Sequence, residues 1–278
     1  MERIEASAVL PDYYYSPWRT GREKAEQEQL LAAEELELSH GIEEIGNYTF
    51  YGCSNLKRLK FTDSLRRIGG GSFTGCSALR ELYVETEKDR VTCIRDVVTE
   101  TFHEMYVTVY YRDQDVYARL VFPEYYEEGV ENTPARILET HFHGSGYRYR
   151  QCFTDKRIDY ARYDNLFSVA KVYEKQEILI AMAMGRLLCP YALSAEREEE
   201  YRSYVCAWIE AVGSYCLKQT DWHAGVRYLI QKGVQDGNQA EQLIRLAADR
   251  GHTEAVSLLM EEKNRRFGQQ KKTFDFGF

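Results

Sequence analysis

The chain has 278 residues, 44% of them apolar and 29% charged, with a formal net charge of −8. That length accommodates two domains or a repeat unit with an appended domain, and that balance favours a folded, soluble chain. The acidic surplus disfavours general binding to nucleic acid or to anionic membranes.

At the N-terminus, MERIEASAVLPDYYY carries acidic residues and no apolar stretch of signal-peptide length. The longest apolar run, Ile178 to Gly185, is too short to cross a bilayer. Seven cysteines are scattered without a Cys-x-x-Cys pair, a usage that fits reduced, mostly buried thiols. The expected compartment is the cytoplasm. Thr20-Gly21-Arg22-Glu23 reads as a capping box in front of KAEQEQLLAAEE. Residues 1–33 are therefore read as an N-terminal segment ending in a capping helix.

Residues 34–86 repeat themselves. A shift of 23 residues lays Ile45-Gly46 on Ile68-Gly69, Phe50 on Phe73 and Gly52-Cys53-Ser54 on Gly75-Cys76-Ser77. Leu56, Leu59 and Phe61 then fall on Leu79, Leu82 and Val84, and one period earlier Leu59 and Phe61 meet Leu36 and Leu38. A fixed period in the twenties with alternating apolar residues is the pattern of a solenoid of leucine-rich repeats. The run Ile-Gly-x-x-x-Phe-x-Gly-Cys-x-x-Leu-x-x-Leu, present in both copies, resembles the BspA-like leucine-rich repeats. The resemblance implies one strand and one return turn per repeat. That family is best known from surface proteins, a setting that is not carried over to this chain.

In-register stacking predicts an inner ladder of Leu36, Leu59 and Leu82, with Phe50 and Phe73 filling the turn side. The outward strand residues then form two columns: Glu35, Arg58, Glu81 and Glu37, Lys60, Tyr83. Opposite charges on neighbouring strands support the stack. The same face is the one solenoids present to partners, so Arg58, Lys60, Glu81 and Tyr83 are candidate protein-binding residues. Three strands give a sheet only about 10 Å across, too small to stand without caps; the C-terminal cap is expected after Glu85. Within the second repeat, Gly70 to Ser77 nearly spells a phosphate-binding loop. Its lysine is missing, with Cys76 in that place, and the repeat pattern already accounts for Phe73, Gly75 and Cys76.

Residues 87–160 read as an α/β bridge. CIRDVVTETFHEM has helical spacing, and MYVTVYYRD and DVYARLVF alternate as a hairpin around Arg112 to Asp115. His141 and His143 lie two apart on an expected strand and so face the same way, the start of a metal site that lacks a third ligand at recognisable spacing. HGSGYRYRQCF, residues 143–153, interleaves Arg148 and Arg150 with tyrosines; it reads as a strand, and as a grip for a carboxylate or phosphate. His141, His143, Arg148 and Arg150 are the candidate ligand residues.

Residues 161–268 turn helical. NLFSVAKVYEKQEILIAMAMGRLLC holds one or two helices, Ser194 caps a long helix whose apolar stripe includes Tyr201, Tyr204, Val205, Trp208, Ile209 and Val212, and Thr220 caps the next. LAADRGHTEAVSLLMEE resembles an ankyrin repeat, with Gly251 at the turn and Gln242-Leu243-Ile244-Arg245 where that family has Thr-Pro-Leu-His. AGVRYLIQKG looks like an earlier partial copy. The resemblance places Arg245 and His252 on a binding groove. The tail, residues 269–278, is too short to fold alone.

The expectation is an α+β protein: a short leucine-rich-repeat stack with a helical N-cap, an α/β bridge, and a C-terminal all-α, ankyrin-like helical array. Its expected function is non-enzymatic binding of an unidentified protein partner, with no nucleic acid, membrane, metal or cofactor. The alternative is a small-molecule or metal-binding sensor or enzyme with its site around His141 to Cys152.

Overall fold

The computed structural model describes residues 2–4, 9–10, 30–132 and 137–267. The capping box at Thr20 to Glu23 and the tail at 269–278 lie outside the described residues. The chain divides into two compact units, Met1–Leu179 with Cys189–Leu193, and Ile180–Leu188 with Ser194–Phe278.

Alternation of apolar and polar residues builds the first unit. Strands β1 (Glu2–Ile4), β2 (Val9–Leu10), β3 (Glu35–Leu38), β4 (Glu44–Ile45), β5 (Arg58–Thr62), β6 (Arg67–Ile68) and β7 (Glu81–Thr86) are followed by a helix, Ile94–Glu100. The hairpin strands β8 (Met105–Tyr111) and β9 (Val116–Phe122) come next. The main sheet has six strands in the order β1-β3-β5-β7-β8-β9, and β2-β4-β6 form a second sheet from the return segments. The three strands expected from the repeats are thus extended on both sides. β1 adds in parallel to β3, β8 in parallel to β7, and β9 closes the edge antiparallel to β8.

Register follows the repeat. Leu36 pairs with Leu59, Leu59 with Leu82 and Leu82 with Val107, and all four are at most 2% exposed. Phe50 and Phe73 stack at 5.5 Å behind this ladder. Each fully buried side chain of this size contributes roughly 1.5–3 kcal/mol, so the ladder gives the stack its cohesion. The glycine after each isoleucine is sterically required at Gly69, where a Cβ would overlap the Asn47 backbone nitrogen of the preceding turn.

Beyond the sheet, β10 (Tyr126–Asn132) and β11 (Ile137–His143) form a hairpin of their own, followed by a helical turn at Gly146–Tyr149. The strand expected across Gly146 to Arg150 is therefore replaced by a turn. The reason is Arg150, a residue only 1% exposed. Its Nε donates to the carbonyls of Val98 (2.8 Å) and Thr101 (2.9 Å), Nη1 to Pro123 and Gly146, and Nη2 to His103 (2.7 Å). Burial lowers its pKa to about 10, which leaves it cationic at neutral pH. The charge neutralises the carbonyl end of helix Ile94–Glu100 and ties it to the end of β9. A short hairpin, β12 (Phe153–Thr154) and β13 (Arg157–Ile158), then leads into helices Tyr160–Asn165 and Phe167–Tyr173.

The second unit is helical. Helix Ala195–Ala207 starts at Ser194, whose side chain accepts from the Arg197 amide. The expected long helix breaks at Trp208 (φ −121°, ψ 36°) before Ile209–Cys216, and Trp208 is 49% exposed rather than part of the buried stripe. Helix Trp222–Tyr228 begins after Asp221 rather than Thr220. It runs into a π-helical turn, Leu229–Gly233. Asp236 then caps Gly237–Asp249 by accepting from Asn238 and Gln239, both at 2.9 Å. Gly251 (φ 71°) makes the tight turn into Thr253–Phe267.

Replacing Arg150 by methionine strands five carbonyls of the first unit at once. The expected loss is about 3–5 kcal/mol, read from the midpoint of urea unfolding; a loss under about 1 kcal/mol would show that the guanidinium is not a structural tie.

Candidate functional site

The outward residues of the main sheet form one ordered surface. Pairing places Glu35 beside Arg58 beside Glu81 beside Tyr106. The next column runs Glu37, Lys60, Tyr83, Thr108 and Arg119, and a third runs Glu85, Tyr110 and Tyr117. Arg58 pairs with Glu35 and reaches Glu81 at 3.9 Å. Lys60 sits between Glu37 (3.3 Å) and Glu85 (3.1 Å), with its ammonium 5.2 Å from the centre of the Tyr83 ring. Burial works to lower the Lys60 pKa, but the two carboxylates outweigh it and hold the lysine above its usual value.

Towards β9 the face changes from charge to tyrosine. Tyr110 and Tyr117 stack at 4.7 Å, Tyr110 donates to Asp115 at 3.0 Å, and Tyr117 is 42% exposed. Burial, with the neighbouring Tyr117 and Glu85, pushes the Tyr83 hydroxyl up to about 12. It therefore stays a neutral hydrogen-bonding group at any physiological pH. The face offers rigid aromatic area at one end and fixed, internally paired charge at the other.

The expected residues Arg58, Lys60, Glu81 and Tyr83 are thus brought together. Tyr106, Tyr110, Tyr117 and Arg119 were missed as part of the same face. The alternation of MYVTVYYRD and DVYARLVF signals the hairpin, but nothing in that pattern says that its first strand extends a parallel stack.

The remaining candidates fall elsewhere. Arg245 is exposed on helix Gly237–Asp249 in the second unit. His252 packs its ring against the edge of Trp222 at 5.9 Å. On β11 both histidines do lie on one side of the strand; His143 bonds Glu128 at 2.8 Å and stacks on Tyr126 at 4.4 Å. Arg148 lies over the Tyr173 ring at 5.7 Å, whereas Arg150 is committed to the carbonyls described above. Cys152 is buried, and burial pushes its thiol up to about 12. Exposed and buried members of this set therefore do not converge on one ligand. Among the described residues no group of three or more His, Cys, Asp or Glu side chains is placed to hold a metal ion.

The loop that nearly spells a phosphate site has a different occupant. In the first repeat the amides of Tyr48 and Phe50 donate to Gly70 and Ser72 of the next turn, both at 3.1 Å. One period later the corresponding donors are Gly71 and Phe73. Their partners are the two carboxylate oxygens of Glu100, at 3.0 and 2.9 Å. Glu100 fills the place of the next repeat's carbonyls, so the amides that would cradle a phosphate are already satisfied.

With this geometry in view, the family model described as "BspA type Leucine rich repeat region (6 copies)" matches residues 28–97. The segment that builds the stack is a leucine-rich-repeat segment of the BspA type. No curated protein and no solved structure matches the chain.

Glu100 generates a pH prediction. Burial raises its pKa against the lowering effect of its two amide bonds. An acid whose folded pKa is raised binds more proton in the folded state, so its contribution improves as pH falls through the window above 4.5 and is lost as pH rises. The stability of wild type minus that of Glu100→Gln should therefore increase as pH falls from about 7 to 5. Glu100→Ala, which orphans both amides, should cost at least about 2 kcal/mol at neutral pH by denaturant unfolding. A pH-independent difference, or a neutral alanine variant, would remove Glu100 as the terminator of the stack.

Proposed function

We propose that this protein is a non-enzymatic interaction module that binds a protein partner on the outer face of its six-stranded sheet. The observation that carries this reading is the set of outward tyrosines Tyr83, Tyr106, Tyr110 and Tyr117, of which Tyr110 and Tyr117 stack, beside the charged columns of Arg58, Lys60 and Glu81. Leucine-rich repeats are in general interaction modules. Tyrosine is favoured at interfaces because it supplies large area with few rotatable bonds and a polar tip. The charges are already paired within the chain, so they cost little to present and steer a complementary partner rather than supply most of the affinity.

The helical unit supplies a second surface in this proposal. Its last two helices, joined through Gly251, follow the helix–tight turn–helix plan of an ankyrin-like array, with Arg245 exposed on the first of them and His252 beside the turn. All seven cysteines are free thiols, which supports a reducing, cytoplasmic setting.

The test is capture of the partner from the native host, followed by affinity measurement with the purified pair. Tyr117→Ser should weaken binding about 30-fold, the loss of one interface hot spot of about 2 kcal/mol. Arg58→Glu should slow association and reduce its salt dependence. Neither should shift unfolding by more than about 1 kcal/mol, since both positions are exposed. Unchanged affinity in both variants would sink the sheet-face reading.

A further inference from the structure

A cleft of about 450 Å³ opens in the first unit at the carboxyl ends of β7 and β8, away from the face described above. Its volume falls within the range of about 300–1,000 Å³ usual for small-molecule sites. One wall is aromatic. Tyr111 and Tyr191 stack at 4.0 Å, Tyr160 meets Tyr191 edge-on at 5.3 Å, and the Tyr111 and Tyr160 hydroxyls share a hydrogen bond of 2.8 Å. Tyr111 and Tyr160 are at most 8% exposed, while Tyr191 is partly open.

Among the described residues, two charged side chains on the lining make no hydrogen bond or ion pair, Asp89 and Arg157. They are also not paired with each other, so carboxylate and guanidinium stand more than 4.0 Å apart. Other charges of the lining are committed: Arg90 to Glu87 at 3.3 Å, and Asp159 to the Arg162 amide at 2.9 Å. An arginine and an aspartate left unpaired around an aromatic wall present a positive end and a negative end to the same small volume.

The backbone around the cleft is also held in a demanding form. Of the six non-glycine residues with positive φ among those described, Asp89 (65°) and Ala192 (51°) line the cleft. Asp155 (49°) and Lys156 (63°) make the tight turn between β12 and β13 that delivers Arg157. Such conformations carry a cost and persist where surrounding structure holds them, which is a recurrent feature of ligand sites.

We propose that this cleft binds a small zwitterion with a planar ring, the chemistry of a free aromatic amino acid. Its carboxylate pairs with Arg157, its ammonium with Asp89, and its ring lies against Tyr191. A guanidinium–carboxylate pair favours a bidentate geometry, and an aromatic wall takes a ring by stacking. The neutral tyrosine hydroxyls of the wall add polar contact without adding charge.

The experiment is isothermal titration calorimetry of the full chain with L-phenylalanine and L-tryptophan. It is repeated with 3-phenylpropionate, which lacks the ammonium, and 2-phenylethylamine, which lacks the carboxylate. At least one amino acid should bind saturably, and each truncated analogue should bind at least about tenfold more weakly than L-phenylalanine. Arg157→Ala and Asp89→Asn should each weaken amino-acid binding by about tenfold or more. Asn is chosen at position 89 because it tolerates the left-handed backbone. Circular dichroism confirms that both variants are folded. Tyr117→Ser, on the sheet face, should bind the amino acid like wild type, so this site and the protein-binding face fail independently. The proposal is overturned if neither amino acid binds folded wild type up to about 10 mM. Analogues that bind as well as the amino acid, or two cleft variants that bind as wild type does, overturn it equally.

Discussion

Everything in the first unit depends on how one turn of the repeat satisfies the backbone of the one before it. Buried amides must find acceptors, and a solenoid answers this by giving each turn the carbonyls of the next. Tyr48 and Phe50 use Gly70 and Ser72 in this way. The arrangement has no internal end, because the last turn always leaves donors over. Glu100 resolves this by placing both carboxylate oxygens on Gly71 and Phe73. Its position is otherwise a poor one, at the carbonyl end of a short helix where a negative charge is disfavoured. The local conflict is offset by the two amides it satisfies and by Arg150, which takes up the carbonyls of Val98 and Thr101 nearby.

On the strand side the stack ends differently. A sheet edge is a template for unwanted pairing, and here the parallel run is carried one strand further by β8 and then turned back by the antiparallel β9. That turn-back has a chemical consequence. The repeat strands project acids and bases that neutralise one another across the register, whereas the hairpin strands project tyrosines. A face that begins as an ion-pair lattice thus ends as an aromatic platform, and the boundary falls where Lys60 meets the ring of Tyr83. The apolar side of the same strands is uniform throughout, which is why the two halves share one core.

How much of this was legible depended on whether the information was local or distant. The period of 23 residues showed the inner ladder, the outward columns and the chemical identity of the repeat, because stacking in register translates sequence spacing directly into spatial neighbours. The hairpin at 105–122 was equally visible, since alternation is a local signal. A cap after Glu85 was expected there, but that its first strand continues the parallel sheet was not legible, because pairing partners of a strand outside the repeat are set by packing rather than by period. Glu100 was hidden for the same reason: the near phosphate loop at Gly70 to Ser77 was accounted for by the repeat pattern alone, and nothing in the period says which side chain meets its free amides. Arg150 misled in a different way. An arginine between tyrosines in a glycine-rich stretch reads as a ligand grip, and only the carbonyls gathered from three separate segments show it to be internal. In the helical unit, caps at Ser194 and the turn at Gly251 followed from residue type. The break at Trp208 did not, because the apolar stripe continues through it.

The central claim is that the tyrosine end of the sheet face is where a partner sits. It is tested most directly by placing a photo-crosslinking residue, p-benzoylphenylalanine, at Tyr117 and, separately, at the exposed Val172 of the same unit, and irradiating each in the native host. The account predicts a discrete protein adduct from position 117 that is absent from position 172 and forms more slowly when Arg58→Glu is added. Equal adducts from both positions, or none from position 117, would contradict it.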